Sequence, residues 1–389
     1  MKTTVFQPHV ALIVETSLAP GREILLGIAR YIRAFGPWST FLEPRSLEES
    51  VPPWLASWRG HGVIARVQNL QIAQAVLAAG IPVVDVLGVV RIPGLPLVHT
   101  DDARVSALAA EHLLERGFRH FAFFGLAGEN WSQQRRDAFE RFVTPHARSW
   151  TLYETPREVH HTKQWEAYAD DLAAWVAALP KPTGLMLCSD QVGPAVLEAC
   201  RRAGVEVPDQ IAVIGADDDE PLCEVAEPGL SSVWPDHERV GYEAAALLDR
   251  LMRGEDAPAE PIRVPPRAVV TRRSSDVLAL EDREIAAAVR LIREHACNPD
   301  GLTIDEIAAQ VAMSRSVLQR RFKAATGRTL HDEILRVRLG RARELLSETD
   351  LPIATIAERL GFKHQEYMGD VFRKRLGVTP AHYRKSRQR

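Results

Sequence analysis

Two kinds of hydrophobic pattern divide the chain. Between residues 9 and 271, short apolar runs alternate with segments of helical period. Val10–Val14, Gly62–Ala65, Val83–Asp85, Phe121–Gly125, Leu152–Tyr153, Gly184–Cys188 and Ile211–Gly215 read as strands too apolar to have a wet face. Arg22–Ala34, Gln71–Ala79, Ala103–Arg116, Gln133–Phe142, Trp165–Ala178, Pro194–Ala203 and Glu238–Arg253 read as helices. This alternation predicts an α/β fold, a doubly wound parallel sheet arranged as two lobes, with a second series of elements beginning at Leu152. From residue 283 onward only helical period remains, broken by Gly, Pro and Asn-Pro, and an all-α domain is expected there.

The all-α part repeats itself. Ile304, Ala308, Leu318, Phe322 and Gly327 recur as Ile353, Ala357, Met368, Phe372 and Gly377, at an offset of 49 residues before the turn and 50 after it. One residue is therefore gained in the second turn. Each copy reads as a short helix, a tight turn and a second helix, with a small alanine where the two approach. The bounds are about 303–326 and 352–376. Between the copies, Leu330–Leu346 carries enough apolar positions for one long helix, a stiff connector that would set the two second helices about 34 Å apart, one DNA turn.

Charge sharpens this division. Residues 283–389 carry a net charge of +8, against −11 for the rest. A basic end on an acidic body is expected where one end meets a polyanion. The candidate DNA contacts are Ser314, Arg315, Ser316, Gln319 and Arg320 in the first copy, and His364, Gln365, Gly369 and Arg373 in the second. Arg matches guanine and Gln matches adenine edges, whereas Lys323, Lys363, Lys374 and Arg375 suit phosphates. The sequence in this region resembles the AraC family of regulators through Gly361-Phe362, Tyr367, Phe372-Arg373-Lys374, Gly377-Val378-Thr379-Pro380 and Tyr383-Arg384. Met368, where that family has Phe, and Gly369-Asp370 depart from the pattern.

In open α/β sheets ligands bind beyond the strand carboxyl ends. Those ends read Glu15-Thr16-Ser17, Asp85, Asp101-Asp102, Trp131, Ser189-Asp190 and Asp217-Asp218-Asp219. Carboxylates accept from sugar hydroxyls, an arginine such as Arg22 or Arg135 donates to them, and an aromatic face covers the C–H side of a pyranose. Asp101 and Asp190 serve equally well as helix N-caps. The order of segments resembles the lactose-repressor and periplasmic-sugar-binding superfamily, carried by Thr100-Asp101, Gly117–Phe121, Arg135–Phe139, Ser189-Asp190 and Ile214–Asp218. The resemblance implies that Arg135 and Asp217 hold a sugar from one side each, with Asp190 nearby. That superfamily's repressors place their DNA reader first, and here it comes last. The combination resembles the family of bacterial xylose operon regulators, including Gly36-Pro37-Trp38 and Val264-Pro265-Pro266, which implies D-xylose as effector.

The expected organisation is a sensor at 1–275, a linker at 276–282 and a DNA-binding domain at 283–389. Effector-driven lobe closure would reposition the DNA-binding domain through that linker. The expected partners are a double-stranded DNA operator, a sugar, a second copy of the chain and RNA polymerase, for a transcription activator. The faces Ile24–Ile32 and Gln71–Ala79 are the candidate dimer surface that the family likeness implies. Met1–Pro8 has no apolar run, so neither export nor a membrane span is expected and the cytoplasm is the expected compartment. The four cysteines have no metal-ligand spacing or nucleophile motif, and no phosphate loop occurs, so no cofactor and no enzymatic activity are expected. A transport receptor would share the first fold but would have no use for a basic helical domain.

Overall fold

In strand β1 (His9–Ile13), Val10 and Leu12 face one apolar cluster while Ala11 and Ile13 face another. Both faces are therefore dry, which is why the strand reads as a continuous apolar run. The computed structural model describes all residues except 1–6, 47–49, 91, 157–164, 278, 281, 300, 350 and 388–389. The chain forms two compact units, residues 1–277 and 278–389.

The first unit has two lobes. Lobe 1 is a four-stranded parallel sheet in the order β2 (Ser39–Leu42), β1, β3 (Gly62–Ala65), β4 (Val83–Asp85). It is flanked by α1 (Ala19–Phe35), α2 (Leu70–Ala78) and α8 (His237–Met252). Lobe 2 is a six-stranded sheet in the order β12 (Ala268–Val270), β10 (Ser231–Trp234), β9 (Ile211–Ala216), β8 (Thr183–Leu187), β6 (His120–Ala127), β7 (Ser149–Pro156), antiparallel only between β10 and β12. It carries α3 (Asp102–Glu115), α4 (Asn130–Val143), α5 (Trp165–Ala178), α6 (Gly193–Arg202) and α7 (Glu220–Val225). Strands β5 (Val98–Thr100) and β11 (Ile262–Val264) pair as a separate parallel ribbon.

Chain order and lobe membership do not coincide. The sequence pattern places the second series at Leu152, but β6 and α4 already belong to lobe 2, and α8 returns to lobe 1. The chain crosses between lobes after β5, before α8 and after β11. Helix α8 lies backbone to backbone on α1: a Cβ on Gly27 would sit 1.8 Å from the Glu238 carbonyl oxygen, and one on Gly241 2.0 Å from that of Ile24. Ile24 and Ile28 are consequently buried in this core rather than available for a dimer, and the exposed apolar residues of α1 are Leu26 and Phe35.

In the second unit, α9 (Arg283–His295), α10 (Ile304–Gln310) and α11 (Arg315–Thr326) close one core around Ile307, Leu318 and Phe322. Helices α13 (Ile353–Arg359), α14 (Gln365–Leu376) and α15 (Pro380–Arg387) close another around Ile356, Met368 and Phe372. The long α12 (Leu330–Glu348) supplies Leu330 and Ile334 to the first core and Leu335, Leu339, Ala342 and Leu346 to the second. The first turn, residues 311–314, bends through Ala312 at φ 53°, and the second, 360–364, through Gly361 at φ 70°, one residue longer.

Gly241→Ala is expected to destabilise the first unit by about 1–3 kcal/mol, because the methyl meets backbone that cannot swing aside. Chemical denaturation of the full chain checks this, with an unchanged midpoint for the first-unit transition as the contrary result.

Candidate functional site

The carboxyl ends of both sheets carry the polar residues that the sequence brings to one edge. In lobe 2, Ser132 accepts the Leu126 amide in the first turn of α4, and one helical turn later comes Arg135, buried. Its Nε donates to Asp102 at 2.8 Å, Nη1 to the Cys188 carbonyl at 2.7 Å and Nη2 to Asp217 at 3.1 Å. Trp131, one turn earlier, lies with its ring centroid 5.4 Å from the guanidinium, while its indole donates to Glu129. His99 of β5 reaches Asp102 at 3.2 Å. His237, at the start of α8, lies 3.6 Å from Asp217.

Opposed forces set the charges here. Burial works to raise Asp217 and Asp102, but the Arg135 charge outweighs it, helped by His237 at the first and His99 at the second, and both carboxyls stay below their usual range. Burial lowers Arg135, yet Asp217 and Asp102 raise it further, so it is a fixed cation. Burial holds His237 below its usual value and hence neutral at pH 7.

Lobe 1 contributes a second buried ion pair, Glu15 after β1 with Arg66 after β3. Glu15 Oε2 and His237 Nε2 are among the buried polar atoms of the described residues that have no hydrogen-bond partner in the protein. The charges of Arg66 and Arg135 both act to lower the pKa of His237, after the larger effect of burial. Asn130 joins the lobes directly, its amide donating to the carbonyls of Gly88 at 3.3 Å and Val89 at 3.2 Å while Gln134 holds its oxygen at 2.5 Å.

Several expected contacts have other work. Asp101 accepts the Arg104 amide as the N-cap of α3, and its neighbour Asp102 is the residue that faces Arg135. Arg22 is exposed and ties down the carbonyls of Thr16 and Ser17. Asp190 is completely buried behind the site, bonded to Ser232, the Asp219 amide and the Cys223 thiol. Burial, then the Asp217 charge, pushes its carboxyl well up, and it sits in a slot that Gly215 leaves open: a Cβ there would lie 1.9 Å from its oxygen. Asp85 organises a loop, accepting the amides of Val67, Leu87 and Gly88. Arg66, His99, Asn130 and His237 were not singled out from the sequence. Arg66 directly follows a predicted strand and His237 directly precedes a predicted helix, which is the one signal they give.

In the second unit, Ser314, Arg315, Ser316, Gln319, Arg320 and Lys323 lie exposed on or beside α11, opposite buried Leu318 and Phe322. Lys363, His364, Gln365, Arg373 and Lys374 are exposed in the same way on or beside α14, opposite Met368 and Phe372. Arg315 pairs with Asp305 and Arg373 with Asp370, so these two are partly neutralised. Met368 fills in the second copy the core position that Leu318 fills in the first.

Glu23 of α1 faces Asp217, Asp218 and Asp236, with Arg267 as the opposing charge. Burial and then the first two of these carboxylates raise it from 4.5 to about 7. Between those values the folded chain holds a proton that the unfolded chain has released, so stability from this group falls as pH rises. Glu23→Gln is expected to raise the melting temperature relative to the parent at pH 8 and to leave it unchanged at pH 4.5; a pH-independent difference would be the contrary result.

Comparison with known proteins agrees with both halves. Residues 110–275 match the model of a periplasmic binding protein-like domain, and residues 307–386 that of a helix-turn-helix domain. The xylose operon regulatory protein of Escherichia coli K12 is 33% identical over 97% of this chain and 96% of its own length. That of Haemophilus influenzae is 30% identical over 96% and 97%. The solved structure of the xylose-binding transcription activator xylR superposes with a TM-score of 0.76 at 32% identity, covering 98% of this chain and 99% of that one. With two α/β lobes in one unit and duplicated helix-turn-helices in the other, the chain belongs to the family of xylose operon regulatory proteins, DNA-binding regulators of transcription.

Proposed function

We propose that this protein is a transcription activator whose DNA affinity is set by D-xylose bound between the lobes of the first unit. The observation that carries the reading is a pair of buried polar atoms without a hydrogen-bond partner in the protein, Glu15 Oε2 of lobe 1 and His237 Nε2 where the chain returns to lobe 1. Leaving such atoms unpaired costs about 1–3 kcal/mol each, and a polyhydroxylated ligand would satisfy both. Sugar hydroxyls would donate to Glu15 and Asp217 and accept from Arg66 and from the Arg135 N–H groups that face away from its three partners. Trp131 offers an aromatic face to the C–H side of the ring. The choice of D-xylose rests on the names of the relatives, and so does activation.

On DNA, α11 and α14 would each enter a major groove, with Gln319, Arg320, Gln365 and Arg373 at base edges and Lys323, Lys363 and Lys374 on phosphates. Ser314, Arg315, Ser316 and His364 complete the reading faces. The active species is a homodimer that engages RNA polymerase, and exposed Leu26, Phe35, Leu70 and Leu77 of lobe 1 are the surface we assign to the dimer contact.

Isothermal titration of the full chain with D-xylose, L-arabinose, D-ribose and D-glucose tests the effector. Glu15→Gln is expected to weaken D-xylose about tenfold, the loss of a charged acceptor's share of one hydrogen bond, and unchanged affinity would remove Glu15 from the site. With a duplex selected from a random pool, Arg320→Ala should cost about 1–3 kcal/mol and relax preference at one base pair. Lys374→Ala should weaken all sequences alike and reduce the salt slope by about 1. Equal, sequence-independent losses in both would remove Arg320 from the base-reading set.

A further inference from the structure

Asp217 and Asp218 are consecutive non-glycine residues at φ 107° and 48°, a rare and strained arrangement at the end of β9. A guanidinium holds each carboxylate. Arg135 takes Asp217 from the cleft side, and Arg272 takes Asp218 at 2.8 Å while also bonding Glu224 at 2.6 Å and the Leu230 carbonyl at 3.2 Å. The Arg272–Asp218 pair is mostly buried, with side-chain exposures of 13% and 15%. Arg272 belongs to the segment by which the chain leaves lobe 2.

That segment is no slack linker. Ser274 and Ser275 are fully buried. Ser274 donates from its amide to Gly229 and from its hydroxyl to Val213 of β9, and its carbonyl accepts the Val213 amide. Ser275 meets His112 at 2.8 Å and accepts from Arg116 at 3.1 Å. Burial and the Arg116 charge lower His112 to about 3, so this contact is neutral. The exit segment is thus part of lobe 2 as far as Val277, the last residue of the first unit.

We infer that Arg272 is a positioning residue that transmits effector occupancy to the DNA-binding unit. A ligand that engages Asp217 turns the strained Asp217-Asp218 pair, Asp218 carries Arg272 with it, and the exit segment follows. Arg272 touches no sugar. This inference rests on the D-xylose reading above.

The test compares the dissociation constant of a selected duplex without and with saturating D-xylose, for the full chain. Arg272→Gln and Asp218→Asn are expected to bring that ratio to within twofold of 1 while keeping D-xylose affinity within threefold of the parent's. Glu224→Gln, which removes Arg272's other carboxylate, should keep the parent ratio. Should Arg272→Gln not fold, Asp218→Asn decides alone. A parent ratio retained in Asp218→Asn overturns the inference, and so does a sugar affinity lost more than tenfold, which would make the pair part of the pocket. A parent chain with no sugar-dependent ratio overturns the effector reading itself, and this inference with it.

Discussion

The cleft depends on one guanidinium buried between two carboxylates. Arg135 is enclosed by Asp102 and Asp217, and the string of polar contacts continues to His99 at one end and His237 at the other. Such a cluster is weak evidence of stability, because desolvation cancels most of the attraction. Removing one member, however, leaves a buried charge without its counterpart, at a cost of about 3–5 kcal/mol. What the arrangement presents is charge of fixed position and sign, little screened by water.

Its location matters as much as its charge. His99 sits on β5, where the chain first passes between lobes, and His237 begins α8, where the chain returns. The string of polar contacts therefore runs from one crossover to another. A ligand at the proposed site would therefore act on the segments that connect the lobes, which is the physical requirement for turning binding into a shift between lobe arrangements. The carboxyl of Glu23 from lobe 1 adds to the field at Asp217, and Asn130 adds hydrogen bonds between the lobes.

The second unit solves a different problem. Two helix-turn-helices of this size cannot each bury a sufficient core alone. Helix α12 lends Leu330 and Ile334 to one and Leu335, Leu339, Ala342 and Leu346 to the other, so the two helix-turn-helices share one member. Their relative placement is then a property of the fold of this unit.

The duplicated motif was legible because helical period and a 49-residue repeat are local properties of sequence, and the extra turn residue showed directly as the shift to 50. The alternation of strands and helices was equally plain, and so was the edge where carboxylates gather, since strand ends follow from strand positions. Arg135 and Asp217 came from family likeness at that edge. What tertiary structure alone decided is which strands share a sheet and which neighbour of a pair turns inward. Nothing local tells that α8 rejoins lobe 1, that Asp101 caps while Asp102 meets the arginine, or that Asp190 is sealed behind the site. Pairing and burial join residues far apart in the chain: Arg135 with Asp217 across 82 positions, Arg272 with Asp218 across 54. Period and composition carry information only over a few turns, so such contacts exist only once the chain has folded.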